Sequence, residues 1–169
     1  IFSGDDLDLK TVGTGEINGR KNVKTALFLV IPDADTTFNC IAGMIYTMLI
    51  QELYFQADFV YRGELPVPVT FWFDEFANIA LPENFPKVLA TMRKRLMSAV
   101  IIIQNMAQIK GIYKEDGWEN IVGNCDVFIY LGGNEPSTFK YISENLGKKT
   151  VWKRSHGASH GGNSGSSST

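Results

Sequence analysis

Two adjacent carboxylates, Asp74 and Glu75, directly follow the apolar run Val69–Phe73 (VTFWF). An apolar strand that ends in adjacent acids is typical of a Walker-B element. In such an element the Asp binds Mg²⁺ directly or through water, and the Glu orients a water for attack on a γ-phosphate. Two carboxylates at a strand tip destabilise the fold unless a cation or hydrogen bonds compensate them. The pattern alone leaves a second interpretation open, in which both acids only cap the exit of the strand.

An amide pair, Gln104-Asn105, follows the next apolar run, Ser98–Ile103 (SAVIII). Ligands of open parallel sheets bind beyond the carboxyl ends of the strands, so an amide at this position can contact a γ-phosphate. Amides at strand exits are also ordinary turn residues. The nucleotide interpretation gains weight because Gln104 comes one strand–helix unit after Asp74-Glu75.

Three cations, Arg93-Lys94-Arg95, end the helix predicted between these two strands. In oligomeric ATPases such arginines can reach the phosphate of a neighbouring subunit or line a nucleic-acid channel. The alternative is a solvated cationic helix end that complements the helix dipole.

Other catalytic signatures are absent from the sequence. No G-x-x-x-x-G-K-[ST] phosphate loop occurs, and the nearest segment, Gly13–Lys21, has the wrong spacing and no preceding strand. Both histidines, His156 and His160, lie in the Gly/Ser-rich end, so the preceding part has none for a nucleophile–base pair or a metal. We therefore expect this chain by itself to bind ATP poorly or not at all.

Length and composition indicate a globular domain. The 169 residues are 44% hydrophobic and 20% charged, with a net charge of -2. These values exclude a disordered polyelectrolyte, and the lack of a basic excess argues against a generic phosphate-backbone binder. The two cysteines cannot form a disulfide framework, and the apolar stretch Ile41–Ile50 is too short to span a bilayer.

Short apolar runs alternate with amphipathic stretches along the chain, which predicts an α/β protein with a mainly parallel sheet and helices on both faces. The predicted strands are 25–31, 69–73, 98–103, 126–131 and an edge strand at 150–152. A helix to about Gln56 is predicted after the first strand, and another that starts at Glu83-Asn84 after the second. A helical stretch from Met106 to Tyr113 and a segment at Gly117–Gly123 are predicted after the third, and a helix that stops at Gly147 after the fourth. Residues 1–24 are predicted as a polar lead-in, and 155–169 as a flexible tail.

The predicted helices carry apolar stripes at the 3.6-residue period. The stripes are Phe38, Ile41, Ile45, Met48 and Leu49 in the first helix, Phe85, Val88, Leu89, Met92 and Leu96 in the second, and Phe139, Ile142 and Leu146 in the last. Pro136 suits the first helical turn, and Gly147 suits the stop. The chain starts without Met or a basic signal segment, which suggests an internal fragment of a longer protein.

These motifs resemble the TraG/TraD-type coupling proteins of conjugative type IV secretion systems. The segment Leu65–Ala80 (LPVPVTFWFDEFANIA) is similar to the Walker-B region of that family, whose run "DEFANIG" ends in Gly where this chain has Ala80. Further collinear resemblances are Ala26–Asp35 (ALFLVIPDAD), Ala90–Leu96 (ATMRKRL), Ile103–Gln108 (IQNMAQ), Ile121–Gly133 (IVGNCDVFIYLGG) and Ser143–Thr150 (SENLGKKT).

The resemblance implies a RecA-like P-loop NTPase, of which residues 25–154 would be the portion from Walker B onward. It implies ATP and Mg²⁺ as cofactors, with Asp74 at the Mg²⁺, Glu75 activating water and Gln104 reporting on the γ-phosphate. Arg93 or Arg95 would act across a subunit boundary of a homo-hexamer.

The same resemblance implies a motor at the cytoplasmic face of the bacterial inner membrane, anchored by an N-terminal segment missing here. Its partners would be a relaxase, single-stranded DNA and components of the secretion channel. Two departures are notable, since Ala80 replaces a Gly and Leu96 stands where the family has a polar residue. The alternatives are a chromosome-segregation-type DNA translocase and a non-hydrolysing interaction module.

Overall fold

The computed structural model describes residues 8–31 and 36–150. Its α-helices are α1 (Thr11–Thr14), α2 (Asn39–Phe55), α3 (Phe85–Met92), α4 (Met106–Ile112), α5 (Gly117–Gly123) and α6 (Pro136–Leu146), and its strands are β1 (Val69–Phe73) and β2 (Met97–Ile101). Short 3₁₀ turns cover Thr36–Phe38, Phe76–Asn78 and Arg93–Arg95, and a π-helical turn, Gln56–Val60, extends α2.

The strands β1 and β2 pair in parallel, with Val69 opposite Met97 and Phe73 opposite Ile101. Because α3 lies between them in sequence, β1, α3 and β2 form one strand–helix–strand unit. Their aromatic and β-branched residues favour strands. The prediction is confirmed for both strands, although β2 begins and ends slightly earlier than expected.

The core lies against one face of this sheet. Phe71 and Phe73 are buried, and the ring of Phe73 meets those of Phe85 and Phe76 edge-on, with ring centroids 5.5 and 5.8 Å apart. Trp72 points to the opposite face and is 66% exposed. In the described ranges only one face of the sheet is therefore covered, whereas the sequence predicted helices on both.

The buried face of α2 is set by one close contact. The backbone of Gly43 lies so near the carbonyl oxygen of Ala80 that a Cβ at position 43 would overlap it. The predicted stripe is confirmed for Leu49 but wrong for Phe38 and Met48, which are exposed. Since α2 is apolar nearly all round, its periodicity could not identify the face that approaches Ala80.

The residue Ala80 itself has no positive φ, so an alanine fits this backbone as well as a glycine does. The departure from the resembling motif at position 80 therefore introduces no strain.

Part of the predicted lead-in belongs to the core. Gly13 in α1 is buried against Leu53 and Leu65, and its carbonyl oxygen accepts a hydrogen bond from the N–H of Val67 at 3.2 Å. Leu9 packs on the same cluster. Residues 9–15 thus pack against the part of the core that lies near the start of β1.

Two predicted strands, 25–31 and 126–131, are wrong. Neither segment has regular secondary structure, and Leu131 is 93% exposed. An apolar composition favours burial, but a strand also requires a neighbour for its backbone N–H and C=O groups. No segment within 8–31 or 36–150 pairs with either run. Thr150 is not in a strand, and the rest of the predicted edge strand lies outside the described residues, as does the predicted tail 155–169.

The segment 127–131 nevertheless alternates as a strand does. The rings of Phe128 and Tyr130 face α6, with centroids 6.1 Å from Tyr141 and 6.4 Å from Phe139 respectively. The alternate residues are apolar and exposed, and we call them the outer row: Val127, Ile129 and Leu131.

The helix α6 packs through residues other than the predicted stripe. Phe139 and Leu146 are exposed, so the predicted apolar stripe is wrong at both positions, whereas Tyr141 packs against the core and against the ring of Trp118. The buried residue of the helix is Thr138. Pro136 in the first turn and Gly147 at the end confirm the predicted boundaries.

The structure therefore confirms an α/β protein with parallel strands, and the described sheet contains two of the five predicted strands. Across residues 8–31 and 36–150, we find no helix with the length and apolarity that a membrane span requires.

Candidate functional site

The exits of β1 and β2 are joined by backbone hydrogen bonds. The N–H of Ile102 donates to the carbonyl oxygen of Phe73, and the N–H of Phe76 donates to the carbonyl oxygen of Ile102, both at 3.0 Å. The segments that carry Asp74-Glu75 and Gln104 thus leave the sheet side by side. The structure brings the predicted acids and the predicted amide to the same edge, as expected for neighbouring parallel strands.

A strained turn holds the two acids. Glu75 has φ 48° and ψ 48°, a left-handed conformation that costs a residue with a Cβ about 1–2 kcal/mol. Its N–H donates to Oδ1 of Asp74 at 3.0 Å, and Nδ2 of Asn78 donates to its Oε2 at 2.8 Å. Both acids are exposed. In the described part of the chain, the second oxygen of each carboxylate has no hydrogen-bond partner, so each acid has a free acceptor directed by a fixed backbone.

The amide of Gln104 is paired with a second glutamine. Oε1 of Gln108 accepts the N–H of Gln104 at 3.1 Å, and Nε2 of Gln108 donates to Oε1 of Gln104 at 3.3 Å. Nε2 of Gln104 has no hydrogen-bond partner among the residues that the structure describes. An amide NH₂ without an internal partner can donate hydrogen bonds to an anionic oxygen, which fits the predicted role of Gln104.

The first turn of α4 supports this glutamine pair. Oδ1 of Asn105 accepts the N–H of Gln108 at 3.1 Å and so caps the helix. The N–H of Met106 donates to the hydroxyl of Thr138 in α6 at 3.0 Å. Sequence reasoning assigned a role to Gln104 and included Gln108 only as the end of the resembling segment Ile103–Gln108, without a role of its own. Thr138 was missed, because its contact with Met106 has no local signal.

A carboxylate holds the start of α6. Glu135 accepts hydrogen bonds from the hydroxyl of Thr138 at 2.6 Å and from the N–H of Ser137 at 2.9 Å. These bonds, with further ones from the hydroxyl of Ser137 and the N–H of Thr138, lower the pKa of Glu135 to about 2. The side chain is therefore ionised across the physiological range.

The two candidate arginines have different surroundings. The side chain of Arg95 is only 8% exposed, lies over the ring of Tyr54 at 3.9 Å and donates two hydrogen bonds to Asp58. These hydrogen bonds lower the pKa of Asp58. Arg93 is exposed, and no ion pair joins it to another residue of the two described ranges. Of the two, Arg93 is the one whose guanidinium is accessible to a second subunit.

The donor set at the strand exits fits a magnesium ion that is shared with phosphate. In the residues that the structure describes, no group of three or more His, Cys, Asp or Glu side chains could enclose a metal by itself. Mg²⁺ commonly uses one or two carboxylates and completes its coordination with water and phosphate oxygens. Asp74 and Glu75 meet that requirement with oxygen ligands at an open edge.

A groove of about 520 Å³ lies elsewhere, between α2 and α3. It is lined mainly by aromatic and aliphatic side chains, including Ile50, Tyr54, Phe55, Phe59 and Phe85, and by none of the residues at the strand exits. The candidate carboxylates Asp74 and Glu75 and the amide of Gln104 lie at the strand exits and not in this groove. The candidate site therefore lies at the exits.

Part of this chain is similar to known proteins. Residues 68–169 match the family model described as the TraM recognition site of TraD and TraG. Over 87 residues the chain is 29% identical to Protein VirD4 of Rhizobium rhizogenes and 29% identical to Protein VirD4 of Agrobacterium fabrum. That stretch is 52% of this chain but only 13% of each relative, so the match spans a small part of those proteins. No solved structure matches the chain significantly.

Proposed function

Because the chain belongs to the family of the TraM recognition site of TraD and TraG, the C-terminal region of TraG/TraD-type coupling proteins, we propose that it is the later part of an ATP-driven motor. The motor would deliver relaxase-bound single-stranded DNA to a type IV secretion channel. The observation that carries this proposal is the joined edge at which Asp74-Glu75 and Gln104 stand side by side after two parallel strands.

Each residue of this edge has a separate role. Asp74 would hold Mg²⁺, which when bound would supply positive charge that offsets the charge on the nucleotide phosphates. Glu75 accepts a proton from the attacking water, and its fixed backbone and the bond from Asn78 orient the carboxylate. Gln104 donates to the terminal phosphate through Nε2, with Gln108 holding its amide in that orientation.

The phosphate-binding loop of this site would come from another part of a longer protein, since the sequence contains none. The exposed face around Trp72 leaves one side of the two-stranded sheet open, which supports a larger RecA-like sheet in the longer protein. In that arrangement residues 25–154 form the portion from Walker B onward. Arg93 would reach the site of the next subunit in a homo-hexamer at the cytoplasmic face of the inner membrane.

The family description also supports a protein partner. We propose that residues 68–169 contact a TraM-type protein, which would bring the motor to DNA that carries its relaxase. A non-hydrolysing interaction module is therefore the second candidate function, and it requires no chemistry from Asp74 or Glu75.

The decisive experiment compares Glu75→Gln with wild type in a longer protein that contains this chain and a phosphate loop. Gln keeps the size and backbone conformation of Glu75 but cannot accept the proton. We expect DNA-stimulated ATP hydrolysis to fall by about a hundredfold or more. Glu64→Gln is the matched control, because Glu64 is exposed and lies before β1, and it should leave the rate within about twofold.

Equal hydrolysis by wild type and Glu75→Gln removes Glu75 from catalysis. If neither protein hydrolyses ATP and both still bind a TraM-type partner, the interaction module is the correct function. The two outcomes are separated by measuring partner binding and hydrolysis on the same preparations.

A further inference from the structure

The hydroxyl of Thr138 is a buried contact between α6 and α4. Its Oγ1 accepts a hydrogen bond from the N–H of Met106 at 3.0 Å, although the two residues are 32 positions apart in sequence. Thr138 is only 8% exposed. The N–H groups of a first helical turn have no partner within their own helix, so Thr138 satisfies a donor that would otherwise be buried without one.

Glu135 fixes the direction of that hydroxyl. A threonine hydroxyl has a single hydrogen, and here it is donated to Oε2 of Glu135 at 2.6 Å. The lone pairs of Oγ1 are then directed towards Met106. The same carboxylate accepts the N–H of Thr138 at 2.8 Å and two bonds from Ser137, so it is held at a fixed place in the first turn of α6.

The position of Gln104 depends on this contact through α4. The helix is only 7 residues long, and its first turn is held by Asn105, which caps Gln108, and by Thr138, which binds Met106. A helix this short depends on tertiary contacts for its placement. Gln108 in turn holds the amide of Gln104.

We propose that Thr138, with its hydroxyl directed by Glu135, is a positioning residue for Gln104. Through the first turn of α4 it places the amide of Gln104 beside the exit of β1. The position of Gln104 at the proposed nucleotide site therefore depends on the position of α6. The inference rests on the role proposed above for Gln104, but the contact on which it depends can be tested without nucleotide.

The structural test is amide hydrogen exchange in Thr138→Val, which keeps the shape of the side chain and removes the hydroxyl. We expect exchange at the N–H groups of both Met106 and Gln104 to become at least about tenfold faster. Thr138→Ser keeps the hydroxyl and should restore slow exchange. Ser143→Ala is the control, since Ser143 is an exposed residue later in α6, and it should change neither amide.

The functional test measures ATP hydrolysis by the same variants in the longer protein. Thr138→Val should lower kcat by about tenfold or more and leave KM within about twofold, because it misplaces a group that acts on the terminal phosphate. Thr138→Ser should recover most of kcat, and Ser143→Ala should match wild type.

Faster exchange at Met106 with unchanged exchange at Gln104 overturns the inference, whatever the hydrolysis rates are. So does a normal kcat in Thr138→Val when both amides exchange faster. A wild-type protein without ATP hydrolysis counts against the proposed function instead, and the exchange of Gln104 then decides whether Thr138 positions it.

Discussion

Arg95 and Asp58 are joined by two hydrogen bonds, from Nε to Oδ1 at 2.9 Å and from Nη2 to Oδ2 at 2.6 Å. The pair connects the turn after α3 to the π-helical turn after α2. Nη1 of Arg95 also donates to the carbonyl oxygen of Thr91 at 3.0 Å. This guanidinium is therefore occupied within its own subunit.

Replacement of Arg95 should reduce stability more than replacement of Arg93. Arg95→Ala removes the bonds to Asp58 and the contact with Tyr54, and we expect the free energy of unfolding to fall by about 2 kcal/mol. Arg93→Ala, at an exposed position, should change it by less than about 0.5 kcal/mol. Urea unfolding monitored by tryptophan fluorescence measures both. Equal effects would show that the pair contributes nothing specific.

A methyl group at position 43 should destabilise the protein. In Gly43→Ala the new Cβ meets the carbonyl oxygen of Ala80, so α2 or the loop at Ala80 must move, at a cost of about 1–3 kcal/mol. Gly111→Ala is the matched control, because Gly111 lies in α4 with open space around it. That variant should gain about 0.4–1 kcal/mol. Thermal unfolding of the two variants should shift in opposite directions.

Relief of backbone strain at Leu96 should stabilise the chain. Leu96 has φ 59°, in the left-handed region, and its side chain is exposed. Leu96→Asn places a residue that tolerates this conformation, and we expect a gain of about 0.5–1 kcal/mol. Leu96→Ala keeps the strain and should show no such gain. Chemical denaturation of the pair separates the backbone effect from the loss of the side chain.

The cap at α6 should make stability depend on pH. Because hydrogen bonds from Thr138 and Ser137 lower the pKa of Glu135 from 4.5 to about 2, the unfolded chain binds this proton more readily than the folded protein. The stabilisation is complete above pH 4.5 and is lost as the pH falls towards 2. The difference in unfolding free energy between wild type and Glu135→Gln should shrink over that range. A difference that stays constant with pH would contradict this assignment.

The sequence predicted the elements whose signals are local. The run Val69–Phe73 has strand composition and a polar exit, and it is β1 with the predicted bounds. The acids and the amide were placed at one edge because parallel strands end together. Pro136 and Gly147 marked the limits of α6 in the same way.

The remaining features depend on tertiary structure. A strand needs a neighbour, so the apolar runs 25–31 and 126–131 could predict burial but not pairing. The ion pair between Arg95 and Asp58 joins residues 37 positions apart, and nothing in either local sequence indicates the other. The buried face of α2 is likewise decided by its approach to Ala80.

The exposed outer row of Val127, Ile129 and Leu131 should make the chain prone to association at high concentration. It lies in a stretch without charge from residue 127 to 134, and its apolar side chains and backbone groups are exposed together. Such a ribbon is a template for intermolecular β-aggregation. Sulfate, which strengthens the association of apolar surfaces, should promote precipitation, and a lysine at position 129 should act as a gatekeeper against it.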